Sequence, residues 1–187
     1  MQHDDPGRSA PGESGADRPA DALFAMLYAE LRRLAEHSLR RGGGALTLSP
    51  TTLLHEAYLD MAGRDVAFAD RGRFLAYASR AMRGLIIDFV RRRRAQKRGR
   101  DLQVTLDESL PASAAAMKQA EEMERLGEAL DELGELEPAL AQLVDLHFFC
   151  GFTFAEVAAL RGASERTVQR DWRKARLLLH RTMLGDS

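Results

Sequence analysis

Residues 153–176 read Thr-Phe-Ala-Glu-Val-Ala-Ala-Leu-Arg-Gly-Ala-Ser-Glu-Arg-Thr-Val-Gln-Arg-Asp-Trp-Arg-Lys-Ala-Arg. Thr153 and Glu156 have the spacing of a capping box, in which a hydroxyl and a carboxylate satisfy two orphan amides at a helix start. Val157, Ala158 and Leu160 give a short apolar face. Gly162 suits the left-handed residue that ends a helix, and Ser164 is a good N-cap for the next one. Val168, Trp172, Ala175 and Leu179 then recur at i, i+4, i+7 and i+11, which makes one buried stripe. Glu165, Arg166, Gln169, Arg170 and Arg173 fall on the other faces. Two helices on a tight glycine turn, the second exposing Arg and Gln, form a helix-turn-helix that fits a major groove. Arg can bond guanine through two hydrogen bonds, and Gln can do the same with adenine. A helical hairpin with a solvated charged face is the plainer reading. It does not require two caps, a glycine turn and an Arg-rich face in register.

Outward from this stretch, the chain has 187 residues, enough for one large or two small domains. It is 45% hydrophobic but only 6% aromatic, and no run of alternating β-branched residues stands out, so helices are favoured. The net charge of −1 hides segregation: residues 91–100 hold seven Arg/Lys and no acid, and residues 101–137 hold eleven acids against Lys118 and Arg125. Residues 161–181 hold seven basic residues against Glu165 and Asp171. Such blocks predict two basic surfaces separated by an acidic connector. The one cysteine, Cys150, allows no intrachain disulfide and fits a reducing cytoplasm. Residues 1–20 are rich in Gly, Pro, Ser and Asp, unlike a signal peptide, and read as a disordered tail. No segment approaches the roughly 18 apolar residues that span a bilayer, so no membrane insertion is expected.

Along the chain, Leu23, Leu27, Leu31 and Leu34 predict a helix over 23–39, ended by Gly42-Gly43-Gly44. Ser49-Pro50 is a cap followed by proline at the first helical position. Leu53, Leu54, Ala57, Tyr58 and Met61 mark one face of the second helix. Residues 63–73 read as a loop with Gly72 as a breaker. A third helix over 74–94 has Phe74, Ala78, Met82, Leu85 and Phe89 inward and runs into the basic stretch. Residues 99–117 read as linker and 118–133 as an acidic helix. Pro138 opens the next helix, with Leu140, Leu143, Val144 and Phe148 inward. The expected class is all-α, as two small helical domains on a flexible linker, each only modestly stable alone.

Seven cations in ten residues repel one another unless a polyanion neutralises them, so residues 91–100 point to contact with a nucleic-acid backbone. Phe68 lies on the loop and either packs inward or meets an unstacked base. Catalytic constellations are absent from the pattern. His147 and Cys150 are spaced like half of a metal site without a second pair. His55-Glu56 lacks the following histidine of a zinc protease, and Gly42-Gly43-Gly44 lacks a phosphate-loop continuation. Asp60, Asp65 and Asp70 read as loop and surface groups. No cofactor, metal or enzymatic activity is expected.

Two stretches carry a family resemblance. One is Leu53-Leu54-His55-Glu56-Ala57-Tyr58-Leu59, followed by Arg73-Phe74-Leu75-Ala76-Tyr77-Ala78-Ser79-Arg80-Ala81-Met82-Arg83 and Asp88-Phe89-Val90-Arg91-Arg92-Arg93-Arg94. The other is Phe152 to Arg176. With their spacing, the chain resembles the extracytoplasmic-function (ECF) sigma factors of bacterial RNA polymerase, in particular an ECF-like subfamily. The resemblance implies sigma domain two over 21–98 and sigma domain four over 120–184, which leaves 1–20 as the disordered tail and 99–119 as the linker. It implies that the helix matching 50–62 docks on the clamp of the polymerase through Leu54, His55, Glu56, Tyr58 and Leu59. It implies that Phe68, Arg71, Arg73, Arg80, Arg83, Arg91, Arg92 and Arg94 meet the minus-ten element and the neighbouring backbone. Ser164, Arg166, Thr167, Gln169, Arg170 and Arg173 would read the minus-thirty-five element, with Val168 and Trp172 as core. The turn Arg161-Gly162-Ala163-Ser164 departs from the family's usual Leu-Gly-Val-Ser, and the smaller Ala163 loosens its packing.

The implied partners are core RNA polymerase and promoter DNA, with an anti-sigma factor as a further partner that the family allows. The alternative is a homodimeric helix-turn-helix regulator that acts without being a polymerase subunit. The charge blocks add one expectation of their own. The acidic segment folds back on a basic face of the free protein, through Glu121, Glu122 and Glu124.

Overall fold

The computed structural model describes residues 19–42, 48–63, 68–101 and 114–185, with backbone alone at 19, 97–101 and 114–116. Among these residues every regular element is helical, so the class is all-α. Helix α1 (Pro19–Met26) and helix α2 (Tyr28–Arg41) stand where one helix was expected over 23–39. Leu27 interrupts them at φ −101° and ψ 10°. Its amide still bonds to Leu23 (3.0 Å) and its carbonyl still accepts from Leu31 (2.8 Å), so the ladder runs through the break. Helix α3 (Pro50–Ala62) starts as its sequence directs: Ser49 Oγ accepts from the Thr52 amide at 3.0 Å and Pro50 takes the first turn. It buries Leu53, Leu54, Ala57 and Met61.

Helix α4 (Arg71–Asp101) is longer than the expected 74–94 at both ends. Asp70 Oδ1 accepts from the Arg73 amide at 2.8 Å and caps the helix, so Gly72 sits inside the first turn instead of breaking the chain. The buried face is also wider than expected. Leu75, Ile86, Ile87 and Val90 are buried with Phe74, Ala78 and Met82, while Leu85 and Phe89 are half-buried. The cause is that α4 is covered from two sides, by α2 and α3 on one and by later elements on the other.

Those later elements are α5 (Ala114–Leu136), α6 (Pro138–Val144), α7 (Phe154–Arg161) and α8 (Glu165–Leu184). Pro138 opens α6 as expected, and Leu140, Leu143 and Val144 are buried. Helix α6 runs on into a π-helical turn at Asp145–Phe149, closed by the Cys150 amide on the Asp145 carbonyl at 3.1 Å. The wide turn carries Asp145 to α4 and Phe149 to α2. Phe149 is fully buried, and Phe148, expected inward, is half-buried under the guanidinium of Arg41 at 4.8 Å.

The buried residues of α1–α4 and of α5–α8 belong to one continuous core. Two glycines bring the halves close. A Cβ on Gly127 would lie 2.6 Å from Ile87 Cδ1, and one on Gly151 (φ +76°) would lie 2.6 Å from His37 Nδ1. Ser38, wholly buried on α2, donates to the Phe149 carbonyl at 3.1 Å. Most of the expected linker, 102–113, lies outside the described residues, as do most of the tail, loop residues 64–67 and Gly43-Gly44. On either side of 102–113 the chain is helical.

Candidate nucleic-acid interface

The helix-turn-helix forms from its own local signals. Thr153 Oγ1 accepts from the Glu156 amide at 3.2 Å, and Glu156 Oε2 accepts from the Thr153 amide at 2.8 Å. That carboxylate is held below its ordinary range by the amide and hydroxyl of Thr153. Gly162 takes φ +61°, a left-handed conformation that costs a Cβ-free residue little. Ser164 Oγ then accepts from the Thr167 amide at 3.1 Å. Val168, Ala175 and Leu179 are buried, which fixes the rotation of α8. Trp172 is half-buried and meets the His147 ring edge-on at 4.7 Å. His147 stacks on Phe154 at 4.1 Å and donates from Nδ1 to the Phe152 carbonyl at 2.6 Å. The Arg161 guanidinium donates to the Ala139 carbonyl and ties α7 to α6.

With that stripe inward, Ser164, Arg166, Thr167, Gln169, Arg170 and Arg173 line one shallow surface depression. Ser164, Arg166, Arg170 and Arg173 are exposed, and Thr167 and Gln169 are partly so. Gln169 is steadied by Glu165 at 3.1 Å. The Arg170–Asp171 pair at 3.6 Å is solvent-facing, so it holds Arg170 weakly. The face offers guanidinium, amide and hydroxyl groups without an apolar cover, which is the chemistry of base-edge and phosphate recognition.

The second basic surface is arranged differently. Arg80 and Arg92 on α4 are exposed. Arg94 donates to Glu121 at 2.6 Å and to Glu124 at 2.9 Å, and Arg91 to Glu128 at 3.3 Å. Arg83 is only 3% exposed and donates to Asp145 at 2.6 Å, with Asp131 at 3.2 Å. Burial pushes the Asp145 carboxyl up to about 6, outweighing the attraction of Arg83. Arg71 grips both oxygens of Glu30 at 2.7 Å, and Arg73 stands 3.8 Å from Asp70. Phe68 is half-buried, edge-on to Phe74 at 5.2 Å and Tyr77 at 5.3 Å. Of the two readings of Phe68, this arrangement realises the inward one.

On α3, His55, Glu56 and Leu59 are exposed, Tyr58 packs on Phe24 at 5.0 Å, and Leu54 is core. Leu54 and Arg83 therefore reach no surface in this arrangement. Sequence reasoning missed the acidic partners Glu128, Asp131 and Asp145, because nothing local to them signals a distant arginine.

A model of the ECF sigma factor family matches residues 12–185, nearly the whole chain. The chain belongs to the ECF sigma factor family. No curated protein and no solved structure matches it. As a sigma factor it is a DNA-binding protein of transcription initiation, with RNA polymerase and promoter DNA as the partners of its family. Among the described residues no group of three or more His, Cys, Asp or Glu is placed to hold a metal. In this sigma factor His147 and Cys150 serve separate contacts. Cys150 is buried at Ser38, and burial raises its thiol to about 11. No described helix is long and apolar enough to cross a membrane.

Proposed function

We propose that this sigma factor directs core RNA polymerase to a defined set of promoters and acts in the cytoplasm without catalytic groups of its own. Helix α8 reads the minus-thirty-five element through Arg166, Gln169, Arg170 and Arg173, with Ser164 and Thr167 on the phosphates. Helix α4 and the loop before it serve the minus-ten element and its backbone through Arg71, Arg73, Arg80, Arg91, Arg92 and Arg94, while Phe68, packed on Phe74 and Tyr77, and the buried Arg83 support that surface from within. The outer face of α3, with His55, Glu56 and Leu59, meets the polymerase, and Tyr58 and Leu54 support that face from within. One observation carries the reading: six polar and cationic side chains share one open face of a helix whose other side is locked into the core. Two modules of modest affinity gain avidity when polymerase fixes their separation.

The test is run-off transcription from a library of genomic fragments, with core polymerase alone and with the protein added. New discrete transcripts that share two spaced upstream motifs are expected. If none appear and the folded protein binds a palindromic site as a dimer without polymerase, the regulator reading replaces this one.

A further inference from the structure

We propose that Glu165 is a positioning residue for base recognition: its carboxylate turns the Gln169 amide so that the free edge of that amide selects adenine. The proposal rests on the reading of α8 as the minus-thirty-five helix. Glu165 opens α8 directly after the Ser164 cap, and its carboxylate is exposed. Its Oε1 accepts from Gln169 Nε2 at 3.1 Å. Side chains on a helix lean toward its N-terminus, and residues three and four apart are neighbours. The two positions within reach of Glu165 are therefore Val168, which is buried, and Gln169. Arg166, Arg170 and Arg173 share the helix, yet among the described residues Glu165 makes no ion pair. It holds the amide instead.

That bond decides which way the amide faces. A glutamine amide carries two N–H donors and one carbonyl acceptor, and an ionised carboxylate only accepts. The nitrogen end of Gln169 must therefore turn to Glu165. One hydrogen is engaged there. The other lies beside the carbonyl oxygen and forms an edge of one donor next to one acceptor. Adenine offers the complement in the major groove, the N7 acceptor beside the N6 donor, whereas guanine offers two acceptors and can satisfy only half of that edge. Without Glu165 the amide rotates freely before binding and must be ordered by the base alone.

An acid in a first helical turn also has a plainer use, since it complements the helix dipole. That use follows from charge and acts on stability. The positioning role acts on base preference at one position, so the two are separable.

The test uses the full chain assembled with core RNA polymerase and a library of DNA duplexes with a randomised upstream region. Bound sequences are counted against the input, and urea midpoints are measured for each variant. Gln169→Ala should lower the adenine preference about tenfold at one base pair, which marks the position that Gln169 reads. Glu165→Ala should lower it about threefold at that same base pair and leave the others unchanged. Glu165→Lys offers only donors, draws the Gln169 carbonyl toward itself and should abolish the preference as fully as Gln169→Ala. In the Gln169→Ala background neither change at residue 165 should have a further effect there, the non-additivity expected of two groups that act as a unit.

An adenine preference that survives Glu165→Ala, with only the urea midpoint lowered, overturns the proposal and leaves Glu165 as a dipole partner. A preference lost at a neighbouring base pair, and lost equally in the Gln169→Ala background, overturns it too, because Glu165 then reads a base itself. These outcomes leave the reading of α8 standing. If Gln169→Ala changes no position of the selected motif, that assignment to Gln169 falls and the proposal falls with it.

Discussion

Two arginine-bearing helices of one molecule stand in opposite states. On α8, Arg166, Arg170 and Arg173 face water from a helix whose inner stripe is locked by Val168, Ala175 and Leu179. On α4, Arg83, Arg91 and Arg94 are engaged by carboxylates from the other half of the chain. The same side chain is a ready contact in one region and an internal partner in the other. What decides is the neighbouring element: α8 lies at the edge of the fold with one face uncovered, whereas α4 runs through its middle.

The largest contrast between the two should appear in stability. Asp145→Ala leaves the Arg83 charge buried with only the exposed Asp131 beside it, and should cost about 3–5 kcal/mol in urea unfolding. Replacing the pair together, Arg83→Met with Asp145→Leu, should be neutral or stabilising. Arg166→Ala on α8 should stay within about 0.5 kcal/mol of wild type. An equal cost for Asp145→Ala and Arg166→Ala would erase the distinction.

The contrast should reverse in DNA recognition. Gln169→Ala or Arg173→Ala should lose about 1–3 kcal/mol of discrimination at a single base of the minus-thirty-five element, read by competition between promoter variants. The urea midpoint should not move. Arg92→Ala should instead weaken binding to all sequences alike and flatten the salt dependence by about 1. A smaller effect sharpens the local account of the helix-turn-helix: Thr153→Ala, which removes half of the capping box, should cost about 1 kcal/mol.

The pH dependences carry opposite signs in the two regions. The Asp145 pKa is raised from 3.8 to about 6, so the folded form binds its proton more tightly than the unfolded chain. Its contribution to stability is fully present below 3.8 and is lost as pH rises through about 6. The Glu156 pKa is lowered from 4.5, so its contribution is present above 4.5 and is lost as pH falls through the depressed value. Asp145→Asn should flatten the first dependence and Glu156→Gln the second, both measured as urea midpoints across a pH series.

The helix-turn-helix was legible because its signals are short-range. A capping box, a glycine turn and a serine cap each act within four residues, and all three formed as read. The start of α4 was misjudged on the same scale, since Gly72 outweighed Asp70, whose carboxylate supplies the cap. The rest was hidden for a different reason. Arg83 and Asp145 are 62 residues apart, and Ser38 and Phe149 are 111 apart, so neither partner announces the other in the sequence. The charge blocks did foretell that acidic and basic segments would meet. Composition could not say which glutamates face the arginines, because that depends on the rotation of α5 against α4.

The most direct test of the account is the separation of the two halves in solution. Dyes on cysteines at Arg32 of α2 and Arg181 of α8 would report it by single-molecule energy transfer, with the native Cys150 thiol buried and held protonated. The account predicts one narrow, closed population for the free protein. A broad or distant population would contradict it.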